Sequence, residues 1–234
     1  MSKLIAHRGL SSLAFENTEE SFLLAANKKE VFGIETDIWL TKDNVFVCSH
    51  EPKPFAEPND VLEINTIQSS EIFKLPLNYK ICKYKFTTPH FICTFDRYLE
   101  ICKSFNKVAV IEIKQTNLSN ESLIVLINKV KDLGMLTQTH FISFDWEALK
   151  KVKIIEPSAI LFALADTKHN GNEALALGYN ISIQGNLITR KYIKSIHEKN
   201  LLISIWTIDS KLLASIIQKL YKIDFITSNK LVLK

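Results

Sequence analysis

The chain has 234 residues, 47% of them hydrophobic, with 29 Lys and Arg against 25 Asp and Glu for a net charge of +4. Ample apolar material without low-complexity stretches excludes disorder, and a length near the ~250 residues of one β/α-barrel points to a single globular domain over residues 1–234. Basic residues are scattered rather than massed among aromatics, which argues against a nucleic-acid partner, and no apolar run reaches the ~18 residues that stable membrane insertion needs.

The first strand is expected at Lys3–Ala6 and ends in His7-Arg8-Gly9. The Met-Ser-Lys start leaves too short an apolar run for a signal peptide. Cys48, Cys82, Cys93 and Cys102 lack CxxC or zinc-like spacing. Free thiols and a cytoplasmic location are therefore expected. Asn17 is placed to cap the first helix, with Glu20 three residues on as the other half of a capping-box variant.

The second strand, Gly33–Leu40, carries Glu35 and Asp37 at i, i+2, so both carboxylates point to one face. Thr41–Asn44 then leads into Val45–His50. Four residues cannot carry a parallel crossover, so the pair is a hairpin. A symmetric turn sets Leu40 opposite Val45 and His50 opposite Glu35, on the same face. Glu51 to Phe105, with prolines at 52, 54 and 58, reads as an elaborated loop over a barrel mouth. A short helix is expected at Ile67–Leu75 and a better one at Phe95–Phe105.

Strand Val108–Lys114 carries a second i, i+2 pair, Glu112 and Lys114. Ser119 opens a helix that Gly134 stops, strand His140–Phe144 follows, and Asp145 opens Trp146–Ile155 ahead of Pro157. Strands Ala159–Leu164 and Tyr179–Ile183 come next. A helix from Thr189 to near Asn200 precedes strand Leu201–Thr207. The last helix opens at Asp209 or Ser210, before strand Ile223–Thr227. Eight strands alternating with helices predict a single (β/α)8 TIM barrel, with a β-hairpin after the second strand and a loop insertion over the mouth.

Catalytic groups of such barrels sit at the C-terminal strand ends. Taken alone, a strand-end Arg reads as a salt-bridge partner and Glu112–Lys114 as a structural ion pair. Barrel closure brings them together. Glu35, Asp37 and Glu112 would repel one another unless a carboxyl is protonated or a cation sits among them, and an oxygen-only donor set suits one divalent cation, Mg²⁺ or Ca²⁺. Arg8 and Lys114 supply fixed positive charge for a small anionic phosphate ligand, and His7 and His50 an acid–base pair. His90, His140, His169 and His197 read as surface or packing residues, Trp39 and Trp146 as packing aromatics.

The ordered series His7-Arg8-Gly9, Glu16-Asn17-Thr18, Glu35-Thr36-Asp37, Thr41-Lys42-Asp43, His50, Glu112-Ile113-Lys114 and Trp206-Thr207-Ile208 resembles the glycerophosphodiester phosphodiesterase family. The resemblance implies a metal-dependent barrel hydrolase that releases glycerol 3-phosphate and an alcohol. It implies His7 and His50 as catalytic residues, metal ligation by Glu35, Asp37 and Glu112, and substrate binding by Arg8, Lys114, Glu16 and Trp206. Several positions depart from the family pattern. Glu51 stands where His50 would be followed by Asp, Phe15 where Pro precedes Glu-Asn-Thr, Cys93-Thr94-Phe95-Asp96 where a Pro-Thr-Leu-Glu-like element is usual, and Ser228 where Ile-Thr is followed by Asp. The Arg-Thr-Thr-like segment after the second histidine is missing. The alternatives are a related barrel phosphodiesterase acting on a phospholipid or phosphate-linked polymer, and a catalytically silent barrel that binds phosphorylated ligands. The sequence sets no oligomeric state.

Overall fold

The computed structural model describes residues 1–82 and 89–233; the part of the expected mouth loop at 83–88 lies outside the described residues. The described strands are β1 (Lys3–Ala6), β2 (Val31–Leu40), β3 (Phe46–Cys48), β4 (Cys93–Thr94), β5 (Val108–Ile113), β6 (Thr139–Ser143), β7 (Ile160–Ala165), β8 (Asn180–Gln184), β9 (Ile203–Trp206) and β10 (Phe225–Ser228). β1, β2 and β5 to β10 pair in parallel in the order β1-β10-β9-β8-β7-β6-β5-β2, and pairing of β1 with β2 closes the barrel. This is the expected (β/α)8 barrel, and each of its strands lies within about two residues of the sequence-based bounds.

Alternation along the strands divides the core. Ile5, Val110, Ile142, Phe162, Leu164 and Phe225 fill the barrel interior. Leu4, Ile34, Ile111, Phe141, Ile181 and Ile205 face the helical ring. The helices are α1 (Glu19–Ala26), α2 (Ser69–Ile72), α3 (Phe95–Ser104), α4 (Asn120–Asp132), α5 (Trp146–Ile155), α6 (Lys168–Ala176), α7 (Arg190–Glu198) and α8 (Lys211–Leu220). Ser119, Asp145, Thr189 and Ser210 cap α4, α5, α7 and α8 through side-chain oxygens.

Two helical expectations are corrected. α1 is capped by Thr18, not Asn17, and its capping box is closed by Ser21 rather than Glu20. Asn17 sits at φ 56° and turns its side chain to β2 instead. The helix expected at Ile67–Leu75 shrinks to α2, because after Ile72 the bonds tighten to i, i−3 (Lys74 N–H to Glu71 O, Leu75 N–H to Ile72 O) and Pro76 follows.

The hairpin exists, but its register is one residue away from the expected one. Thr41 N–H donates to Val45 O at 2.9 Å and Asn44 takes φ 62°. The loop is therefore three residues long, with its last residue left-handed, rather than a symmetric four. Leu40 pairs with Phe46, Trp39 with Val47 and Ile38 with Cys48, so His50 does not lie across from Glu35. β1 stops against Ile34, leaving that edge of β2 free for β3. Beyond β3, Phe55, Ile64, Ile67, Ile72, Leu77 and Ile92 build a small core of their own with Phe15 and Val47. The four cysteines are free, three of them buried.

Candidate active site

Parallel register assembles the carboxylates. Glu35 pairs with Val110 and Asp37 with Glu112, so the inward positions of β2 and β5 run side by side to the mouth. One ligand oxygen from each of Glu35, Asp37 and Glu112 lies within 4.8 Å of the others, and their exposures are 2%, 0% and 9%. Glu35 Oε1 and Asp37 Oδ1 are buried without a hydrogen-bond partner among the described residues. Orphaned carboxylate oxygens in a set with no thiol or imidazole fit a hard metal ion.

β1 delivers the next two groups. Ile5 pairs with Gly33 and Ala6 with Ile34, so continuing β1 by one residue sets His7 beside Glu35. His7 Nε2 lies 4.0 Å from Glu35 Oε2. Arg8 then turns to φ 56°, and its backbone N–H donates to Glu35 Oε2 at 2.8 Å. Its guanidinium Nη1 donates to Glu16 Oε1 at 2.8 Å. Its Nε stands 3.2 Å from Asp37 Oδ2, an ion pair without hydrogen-bond geometry. Asn17 Nδ2 donates to the same Asp37 oxygen at 2.9 Å. Lys114 Nζ reaches Glu112 Oε1 at 3.1 Å and Asp37 Oδ1 at 3.8 Å.

Charge and burial divide the titrations. Burial, then Asp37 and Glu112, push Glu35 well above the usual carboxylate range. Burial, then Asp37, raise Glu112 to about 7 against the pull of Lys114. Burial alone would raise Asp37, but Arg8, His50, Lys114 and Asn17 outweigh it and hold it low. Burial, with Arg8 alongside, lowers His7 to about 4, so its ring is neutral at pH 7.

His7, Arg8, Glu35, His50, Glu112, Lys114 and Trp206 all line one cavity of about 160 Å³. His50 reaches it although the register differs from the expected one, because Ser49 N–H makes the last bond to β2, at Asp37 O (3.0 Å), and the chain bends at His50. Asp37 lies fully buried, and Glu16 serves Arg8; neither is among the described residues lining the cavity.

The profile of the Glycerophosphoryl diester phosphodiesterase family matches residues 7–231. The chain belongs to this family. It is thereby a phosphoric diester hydrolase in class. The chain is 31% identical to the uncharacterized protein MG385 of Mycoplasma genitalium over 70% of its own length and 73% of that protein. Its fold is similar to that of a glycerophosphodiester phosphodiesterase from Agrobacterium tumefaciens, with TM-score 0.81, 22% identity and coverage of 98% and 97% of the two chains. It is also similar to that of an Oleispira antarctica phosphodiesterase solved in complex with the product sn-glycerol-3-phosphate, with TM-score 0.80, 19% identity and coverage of 98% and 93%.

In this family member, several site neighbours escaped sequence reasoning. Glu51 Oε1 holds His50 Nδ1 at 2.7 Å; its adjacency to His50 was the available signal. Trp39, expected only to pack, also reaches the His50 carbonyl with its indole N–H at 3.4 Å. Ile142, Phe144 and Leu164 line the cavity beside Trp206, and the Phe144 and Trp206 rings meet edge-on at 5.9 Å. Asn229 Oδ1 lies 2.8 Å from His7 Nδ1 across 222 residues of sequence. The histidines given no role do pack or sit outside the cavity. His140 is buried against Phe162 and Phe225, His90 stacks on Phe15, and His197 pairs with Asp224.

Gly9 gives this phosphodiesterase a backbone test. Its φ is +78°, and a Cβ there would stand 2.6 Å from the carbonyl carbon of Ser21 at the start of α1. That backbone cannot swing aside. Gly9→Ala is expected to cost roughly 3 kcal/mol, combining left-handed strain with overpacking, measured as a fall in the urea midpoint.

Proposed function

We propose that this phosphodiesterase hydrolyses a glycerophosphodiester to glycerol 3-phosphate and an alcohol. The observation that carries this reading is the meeting of two histidines, Arg8, Lys114, Glu35 and Glu112 around one small cavity, with Asp37 buried beside the two glutamates. The product bound by the Oleispira antarctica phosphodiesterase supports the same substrate class. Arg8 and Lys114 position the anionic phosphate, with Glu16 and Asp37 fixing the Arg8 guanidinium. His7, neutral at pH 7, takes a proton on Nε2 from the attacking hydroxyl, either water or the glycerol 2-hydroxyl; in the second case the cyclic phosphate left when the alcohol departs is opened by water to give glycerol 3-phosphate. His50, held through Nδ1 by Glu51, gives a proton from Nε2 to the leaving alcohol oxygen. When bound by Glu35, Asp37 and Glu112, a hard divalent cation, Mg²⁺ or Ca²⁺, supplies Lewis-acid charge to the phosphoryl group. Trp206 closes one side of the substrate pocket. Four free cysteines support a reducing, cytoplasmic setting, and no described helix is long and apolar enough to cross a membrane.

The apolar wall of Ile142, Phe144, Leu164 and Trp206 favours a second reading, cleavage of a lysophospholipid headgroup bond. A panel of glycerophosphodiesters and lysophospholipids, with phosphorus products resolved by NMR and with or without divalent cation, tests both. Glycerol 3-phosphate from the glycerophosphodiesters is the expected result. Turnover confined to lysophospholipids establishes the second reading, and no phosphorus product from any substrate overturns both.

A further inference from the structure

Behind His7, away from the carboxylates, lies a corner built from three distant parts of the chain. Asn229 Oδ1 stands 2.8 Å from His7 Nδ1 and 2.8 Å from Ser11 Oγ. The other end of the same amide, Nδ2, donates to Asp209 Oδ2 at 2.8 Å. Asp209 Oδ1 accepts from the Asn229 backbone N–H at 2.9 Å and from Ser228 Oγ at 3.1 Å. Ser11, Ser228 and Asn229 are buried, and His7 is tied to Ser228 by its own backbone N–H at 2.9 Å.

The donor and acceptor identities leave one consistent assignment. An ionised carboxylate only accepts, so Asp209 draws the NH₂ end of the Asn229 amide toward itself. The amide oxygen must then face His7. An oxygen 2.8 Å from Nδ1 requires the proton there, since two lone pairs at that distance repel. The lone pair of neutral His7 is left on Nε2, the nitrogen that looks toward Glu35. Asp209 also polarises the amide so that its oxygen stabilises the ring cation formed once Nε2 takes a proton.

We infer that Asp209 and Asn229 are positioning residues that lock His7 in the Nδ1–H tautomer and so make Nε2 the proton acceptor of the reaction. This rests on the reading of His7 as general base given above. Neither residue is among those lining the cavity, so both act through His7.

Replacing Asp209 with Asn removes the reason for the Asn229 amide to keep its orientation, and a flipped amide presents NH₂ to His7 and drives the proton to Nε2. The double variant Asp209→Asn with Asn229→Asp exchanges the two ends. The carboxylate, now at position 229, would accept from His7, from Ser11 and from the NH₂ of the amide at position 209. The oxygen of that amide would take over the bonds from Ser228 and the backbone, so each bond described above is kept.

The experiment measures kcat and KM for wild type, Asp209→Asn, Asn229→Ala, the double variant and His7→Ala, with ¹⁵N NMR of the His7 ring. Both single variants are expected to lose about 10²-fold or more in kcat with little change in KM, on the scale of a misdirected general base. The double variant is expected to regain most of that loss, with the Nδ1–H signature restored. Singles at wild-type kcat, or a double variant no better than Asp209→Asn despite a native melting curve, overturn the relay. If His7→Ala itself keeps wild-type turnover, the base assignment fails instead.

Discussion

Removing either active-site histidine is expected to lower turnover on a glycerophosphodiester by about 10²–10⁴-fold, the usual worth of general acid–base catalysis. His7 and His50 are the two histidines among the described residues lining the cavity that also holds Glu35 and Glu112. KM is expected to change little in His7→Ala and His50→Ala, because Arg8 and Lys114, the proposed phosphate-binding pair, stay in place. The two losses differ in kind. With a nitrophenol leaving group the departing oxygen needs little protonation, so the acid variant, His50→Ala, recovers most of its rate. The base variant, His7→Ala, stays slow. Burial and Arg8 keep His7 neutral well below pH 7, which is what a base requires in the free enzyme. Near-wild-type turnover by both variants would remove the acid–base pair, and equal rescue would leave the pair but deny its division of labour.

Stripping divalent cations is expected to abolish turnover, with Mg²⁺ or Ca²⁺ restoring it, because Glu35, Asp37 and Glu112 cluster closely and Glu35 and Asp37 each keep a buried oxygen without a hydrogen-bond partner among the described residues. Full activity in excess chelator would sink the metal assignment. The pH dependence follows from the raised carboxyls. Glu112 sits at about 7 in the cation-free protein, above the ordinary Glu value near 4.3. Its contribution to stability is present below about pH 4.3 and lost as pH rises through about 7. His7, lowered to about 4, acts with the opposite sign: its contribution is full above its unfolded value near 6.5 and lost as pH falls through about 4. The two slopes offset in one window, so the readout is the difference between wild type and Glu112→Gln. Without cation, the Gln variant should gain in melting temperature relative to wild type as pH rises from 5 to 8. Added cation should lift the wild type more at pH 8 than at pH 5, since cations and protons compete for the same oxygens.

Much of this was legible from local pattern alone. The eight barrel strands could be read from short apolar runs, because a strand covered on both faces must be apolar on both. Glu35 and Asp37 share a face by the two-residue period of any strand, and the helix caps at Ser119, Asp145 and Thr189 were visible as residue types just ahead of apolar periodicity, with Ser210 one of two candidates for the last. Where sequence reasoning slipped, a backbone choice decided between near-equal alternatives. Asn17 and Thr18 are both good caps, and Asn17 lost that role because its amide serves Thr36 and Asp37.

The number of barrel strands, the carboxylate pattern and the identity of the residues at each strand end follow from periodicities a few residues long and are written in the chain itself. Tertiary structure alone decided the rest. Asn44 in a left-handed turn shifted the hairpin by one residue, and the bend at His50, just past the last ladder bond at Ser49, returned its side chain to the cavity. Pairing of β2 with β5 set Asp37 beside Glu112, and docking of β10 on β1 brought Asn229 to His7. Contacts across that much chain depend on where the last strand docks against the first, and no local period in the sequence encodes that meeting.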